Sequence, residues 1–232
     1  MWLLGPAGAG KSAIAQTLAE LCNSSKILLA SFFFFRTDPA RNHSRSLIAT
    51  LAYQPARNLP DARDFVVKVP EGDPMVFTRS IEEQLSSLII NPLEELCRSG
   101  RPSSPSDPYL VIIDGLDECG DAAMQTSILQ VITKAFSACK LPLKFLIASR
   151  PEMHLTSAFN SRWINPILAR LALDDNFGLR MTSSASCRIV LMRSGKHTLL
   201  LPSFAVLRDL ARIPSNIWSK NHLGNLYLLR PS

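Results

Sequence analysis

Met1-Trp-Leu-Leu-Gly5-Pro-Ala-Gly8-Ala9-Gly10-Lys11-Ser12 is the stretch that decides the fold class. A very short apolar strand runs into GPAGAGKS, a complete match to G-x-x-x-x-G-K-[ST]. Ile14, Ala15, Leu18, Ala19 and Cys22 then recur on one face of a helix expected from Ser12 to Cys22. Strand, glycine loop and helix in that order are the setting in which this loop binds phosphate. Gly5, Gly8 and Gly10 allow backbone geometries that a β-carbon would hinder. Successive amide N–H groups across the loop, Ala9 included, can then face inward as an anion nest. The helix adds the positive end of its dipole. Lys11 would reach the β- and γ-phosphates, and the Ser12 hydroxyl would bind Mg²⁺. A chance glycine turn is the bland alternative; the correct flanks and a second motif downstream weigh against it.

That second motif is Tyr109-Leu-Val-Ile-Ile-Asp114, followed by Gly-Leu-Asp117-Glu118. A buried apolar strand ending in a carboxylate is what a Walker B strand supplies, with Asp114 holding Mg²⁺ opposite Ser12. Asp117 or Glu118 would orient or deprotonate an attacking water. A solvated acidic loop is the competing reading, and a poor one at the end of a buried strand. Phe145-Leu-Ile-Ala-Ser149-Arg150 ends another strand in a polar, cationic pair. Arg150 would sense or stabilise a γ-phosphate, unless it is an ordinary surface arginine. His154 and Cys119 read as structural, since no metal-ligand spacing accompanies them.

Outward from these motifs, Ile27–Phe35 is a near-continuous apolar strand, and its Phe32–Phe35 block reads as core rather than as a ligand platform. Arg36–Asn42 is a polar loop. Ser46–Gln54 is helical by pattern and is expected to stop at Pro55. Pro55–Pro74 is Pro-punctuated and has no readable period. Ser80–Leu96 reads as a helix with a break at Asn91-Pro92, and Arg101–Pro108 as a surface loop. Ala122–Ala138 is a helix, Leu143–Ala148 a strand and Ile167–Leu173 the last strand. Strands alternating with helices predict an α/β fold, a parallel sheet covered on both faces.

A chain of 232 residues, 47% hydrophobic and 19% charged, is long enough for one such domain and too apolar for a disordered one. Its five cysteines form no C-x-x-C pair, which fits reduced thiols better than a disulfide frame or a zinc site. The apolar start runs straight into the glycine loop without a basic leader, and no apolar run approaches the ~20 residues that span a bilayer. A soluble cytoplasmic protein with no membrane partner is the expectation. The net charge of +6 is uneven: residues 177–232 hold eight Lys/Arg and a single acid, Asp209, against 17 Lys/Arg and 18 Asp/Glu before them.

GPAGAGKS, the strand with DGLDE, and FLIASRP in that order resemble the NACHT domain of the STAND class of P-loop signalling NTPases. The flanking AQTLAELC, ASFFFFRTDPARN, SLIATLAYQ and EMHL are similar to large fungal NACHT families. The likeness covers residues 1–176. It implies a three-layer sandwich with a sheet in strand order 5-1-4-3-2, ATP/ADP and Mg²⁺ as ligands, and a switch that exchanges ADP for ATP and self-associates through the NTPase domain. Lys11, Ser12, Asp114 and Arg150 would inherit the family roles, with Asp117 and Glu118 as the candidates that activate water.

Two departures accompany the likeness. The chain begins inside strand 1, so the domain reads as truncated at its N-terminal edge, without the family's upstream segment. After about Phe177 the wording no longer resembles the family's helical lid, at the place where the charge steps up. One reading of 177–232 is that lid translated in a shifted frame: one nucleotide out of frame, codons for Gly178–Ser183 can spell Arg-Pro-Glu-Asp-Asp-Ile. Stop codons in that frame of the genomic DNA would refute it. A basic nucleic-acid-binding tail ranks below it, because the cations are scattered among Leu, Ile and Val rather than set in a stripe. ATP binding with slow hydrolysis is the leading functional expectation. A degenerate, non-hydrolysing nucleotide-binding or interaction module comes next. A small-molecule P-loop kinase comes last, because DGLDE suits water activation and a kinase must exclude water.

Overall fold

The computed structural model describes residues 1–99, 109–138 and 143–173, and the strand segments 177–181, 189–193, 198–200, 218–220 and 227–229. Five parallel strands form the central sheet: β1 (Trp2–Leu4), β2 (Leu28–Phe33), β3 (Tyr109–Asp114), β4 (Leu143–Ser149) and β5 (Arg170–Ala172). Their order is β2-β3-β4-β1-β5, which from the other edge is the expected 5-1-4-3-2.

Alternate residues along each strand face opposite sides of the sheet. Leu3, Leu110, Ile112, Leu146 and Ala148 share one core with Ala15, Leu18, Ala19 and Cys22 of α1 (Lys11–Ser24). Trp2, Val111, Ile113 and Ile147 share the other core with α2 (Ser44–Asn58), α6 (Ala122–Ala138) and α7 (Met153–Phe159). Both faces are apolar, which is why these strands read as unbroken apolar runs.

Four local expectations need correction. α2 continues through Pro55 to Asn58: Pro55 sits in the last turn, where it forfeits one N–H bond, its ring is buried, and its carbonyl still accepts the Leu59 N–H at 2.9 Å. α3 (Pro60–Gly72) occupies the stretch without a readable period. The helix begun by the Ser80/Glu83 capping box changes character one turn before Asn91-Pro92. There α4 (Ile81–Leu85) passes through a π turn, Ser86–Ile90, into α5 (Asn91–Arg98). Pro92 has no N–H for Leu88, and a wider turn with the Asn91 N–H on the Ser86 carbonyl relieves the crowding. β5 starts at Arg170 rather than Ile167, because Asn165–Ile167 forms a 3-10 turn around Pro166.

Phe32 and Phe34 are core residues, as expected, but Phe35, which points the other way from Phe34, is 49% exposed. The loop expected at Arg101–Pro108 lies outside the described residues. Beyond residue 176 the described segments are antiparallel: β6 (Phe177–Met181), β7 (Ile189–Arg193) and β8 (Thr198–Leu200) make one sheet, and β9 (Trp218–Lys220) pairs with β10 (Tyr227–Leu229). Among the described residues, no helix is long and apolar enough to cross a membrane.

Candidate functional site

Parallel strands bring their C-terminal ends to one edge of the sheet. Gly5 after β1, Phe34–Arg36 after β2, Asp114 at the end of β3 and Arg150 after β4 therefore share one mouth.

The glycine loop is shaped by its neighbours as well as by its own torsions. A β-carbon on Gly5 would stand 2.7 Å from the Leu173 carbonyl oxygen, on a segment fixed by the Leu173 N–H to the Leu4 carbonyl, also 2.7 Å. Gly8 (φ 77°) and Gly10 (φ 85°) lie in the left-handed region. Gly10 is the N-cap of α1, and no side chain caps that helix, so its first-turn N–H groups point into the loop without a side-chain acceptor. Lys11 is only 9% exposed, and its Nζ donates to the Gly5 and Pro6 carbonyls at 2.8 Å each. Burial lowers the Lys11 pKa; Asp117 opposes that shift, Arg150 adds to it, and Asp114 and Glu118 oppose it further.

Asp114 is 3% exposed. Burial pushes its carboxyl above the ordinary range, against a hydrogen bond from Ser12 and the charge of Lys11. Its Oδ1 is buried and has no hydrogen-bond partner. An orphaned carboxylate oxygen beside a hydroxyl is a donor set that suits a hard divalent cation, so Ser12 and Asp114 fit the Mg²⁺ expectation.

Gly115 (φ 69°) then turns the chain close under the Phe34 carbonyl, and a 3-10 turn, Leu116–Glu118, sends the next two acids in different directions. Asp117 is 3% exposed: its Oδ1 accepts the Arg150 backbone N–H at 2.9 Å. Its Oδ2 lies 3.3 Å from Arg150 Nε, an ion pair without hydrogen-bond geometry. Glu118 is half-buried, and its Oε2 accepts the Arg36 backbone N–H at 3.0 Å. The pair that the sequence leaves interchangeable is thus differentiated, Asp117 toward Arg150 and Glu118 toward the end of β2.

Ser149 and Arg150 also separate. The Ser149 hydroxyl is fully buried and accepts the Trp2 Nε1–H at 2.8 Å, while Trp2 stacks on Phe159 of α7 with centroids 4.1 Å apart. Ser149 is therefore an anchor between strand and helix. The Arg150 side chain, 44% exposed, is the one that faces the mouth.

Sequence reasoning missed two participants, Arg36 and Gln125. Arg36 Nη2 donates to the Asp117 carbonyl at 3.1 Å. The rule that found Asp114 and Arg150, a polar residue just past a buried strand, would have found Arg36 as well. Gln125 is buried, and its Nε2 donates to the carbonyls of Asp117 (3.1 Å) and Cys119 (2.9 Å). Its signal was a polar residue on the same stripe of α6 as Ile128, Leu129 and Ile132. With that amide spent as a donor, its Oε1 accepts from His154 Nε2 at 2.7 Å, which fixes the proton on that nitrogen. His154 is thus structural, as expected, and braces the acid turn from α7. Burial, with Asp121, pushes the Cys119 thiol up to about 11, so it stays protonated and inert.

The family model for the nephrocystin 3 N-terminal region matches residues 1–150, from the start of β1 through Arg150. The chain belongs to the nephrocystin 3 N-terminal family. That match takes in the glycine loop, the acid turn and the arginine, and stops short of β5 and of everything after it. It carries no specific support for the NACHT or fungal likeness. No curated protein matches the chain.

Proposed function

We propose that this chain binds ATP and ADP with Mg²⁺, hydrolyses ATP slowly, and acts as a switch domain of the NACHT/STAND type. The observation that carries the reading is the buried, unpartnered Asp114 Oδ1 beside Ser12, at the foot of a glycine loop whose lysine is buried. The loop amides and Lys11 would hold the β- and γ-phosphates; Ser12 and Asp114 would hold Mg²⁺. The cation, when bound, neutralises phosphate charge that builds up toward the transition state.

In the hydrolytic step a water oxygen bonds to the γ-phosphorus, and the bond from phosphorus to the β,γ-bridging oxygen breaks. ADP leaves with that electron pair. Glu118 takes the water proton, and Arg150, oriented by Asp117, steadies charge on the γ-phosphoryl oxygens. Glu118 suits the base role better than Asp117, because Asp117 has both oxygens turned to Arg150. By likeness to the STAND class, including its fungal members, exchange of ADP for ATP would alter self-association.

Titration of the folded chain with fluorescent ATP and ADP, with Mg²⁺ and then with EDTA, tests the reading. Saturable binding that weakens on chelation is expected. Absence of saturable binding to either nucleotide overturns it.

A further inference from the structure

We infer that Arg36 is a positioning residue for ATP hydrolysis, holding the acid turn from the end of β2; this rests on the hydrolytic reading above. Arg36 makes two separate bonds to residues more than eighty positions away. Its backbone N–H holds Glu118 Oε2 at 3.0 Å, and its Nη2 holds the Asp117 carbonyl at 3.1 Å. One residue thereby fixes the carboxylate of one acid and the backbone of the other.

The loop that carries Arg36 is closed on itself, which gives those bonds a firm base. The Phe35 N–H reaches the Arg41 carbonyl (3.0 Å) and the Arg41 N–H the Asp38 carbonyl (2.9 Å). The Arg41 side chain pairs with Asp38 at 2.7 Å and lies over the Phe35 ring, 5.3 Å from its centroid. Asn42 Nδ2 donates to the Arg36 carbonyl at 3.3 Å, and the Asn42 carbonyl accepts the Gly120 N–H at 2.8 Å. Residues 35–42 therefore clasp the acid turn at both ends, at Asp117–Glu118 and at Gly120.

A glutamate on a short turn has three rotatable side-chain bonds, and a base is effective only when held near one attacking geometry. The Arg36 amide occupies one lone pair of Glu118 Oε2; an ionised carboxylate offers about four, so capacity to accept a proton remains. The Arg36 guanidinium does complementary work. Together with Gln125 it fixes the Asp117 carbonyl, so that the Asp117 carboxylate stays on Arg150 and does not compete for the place of Glu118.

Phosphate release and MgATP binding by the full chain, measured in Arg36→Ala, Arg36→Lys and Arg41→Ala, test the assignment. Arg36→Ala is expected to lower kcat about tenfold, the worth of one such bond, with Kd for MgATP within about twofold. Arg36→Lys, which can still donate to the Asp117 carbonyl, should recover most of that loss. Arg41→Ala removes the Asp38 pair and the stacking on Phe35 but leaves the loop's backbone bonds and both Arg36 contacts, so its loss in kcat should be well below that of Arg36→Ala, with Kd unchanged. Arg36→Met, which keeps the stem and removes the donors, replaces Arg36→Ala if that variant melts early. An unchanged kcat in Arg36→Ala overturns the assignment; so does an equal loss in Arg41→Ala, or a Kd that rises in step with the fall in kcat. A wild type that binds MgATP and releases no phosphate overturns it while nucleotide binding stands. A wild type that binds no nucleotide overturns the functional reading itself.

Discussion

The glycine loop and the acid turn face each other across one mouth, yet they are built in opposite ways. The loop is local: residues 5–12 supply its glycine torsions, its uncapped helix start and a lysine that bonds back to Gly5 and Pro6. The acid turn is assembled from afar. Asp117 and Glu118 are held by Arg36 from β2, Arg150 from β4 and Gln125 from α6, with His154 of α7 behind Gln125. A backbone nest draws its donors and its torsions from its own sequence, and a neighbour such as Leu173 only packs against it. A set of carboxylates needs neighbours to tell them apart, because bare side chains on a turn have no preferred roles.

The sharpest way to break that contrast is to remove the function of one acid while keeping its shape. Glu118→Gln still accepts the Arg36 N–H through its amide oxygen but cannot take a proton. Phosphate release should fall about a hundredfold or more, with MgATP binding kept. An equal fall from Asp117→Asn alone, with Glu118→Gln inert, would reverse the roles assigned to the pair.

The loop is challenged next, through its backbone. Gly5→Ala places a β-carbon against the Leu173 carbonyl at 2.7 Å, with the Leu173 and Ala9 side chains at 3.1 and 3.3 Å. Such overpacking costs about 1–3 kcal/mol, to be read as a lower urea midpoint together with weaker nucleotide binding. A variant as stable as wild type would show that the close approach of β5 to the loop yields freely.

The smallest expected effect has the opposite sign. The folded-state pKa of Asp114 is raised above 3.8, chiefly by burial, so the folded state holds more protons than the unfolded state once pH passes that value. Stability contributed by this group therefore falls as pH rises through the window between 3.8 and the folded value. Asp114→Asn removes the buried charge and keeps an acceptor for Ser12. At neutral pH it should raise Tm by about 2–4 °C while abolishing the Mg²⁺ dependence of binding. A lower Tm at neutral pH, or Mg²⁺ dependence that persists, would count against Asp114 as the buried metal-binding acid.

What was legible in the sequence follows the same division. The loop, Asp114 at the end of its strand and the alternation of helix and strand could be read because each rests on a local period or a fixed spacing; the order of the sheet came only as an implication of the NACHT resemblance. Arg36 and Gln125 could not be read as partners of the acids, since their bonds to the turn are made by tertiary contact. The running of α2 through Pro55 and the π turn before Pro92 were hidden for a related reason. Local rules say that proline interrupts a helix, and only burial decides whether the helix stops, widens or carries on.

The central claim is that a backbone nest closed by Lys11 binds nucleotide phosphate. It is tested most directly by titrating wild type and Lys11→Ala with fluorescent ATP at millimolar Mg²⁺, with the fold of both checked by circular dichroism. Lys11 gives up charged hydrogen bonds to phosphate when truncated, so affinity should fall about a hundredfold or beyond detection in a variant that still folds. Equal affinity in the two proteins would contradict the account and would place any nucleotide binding somewhere other than this loop.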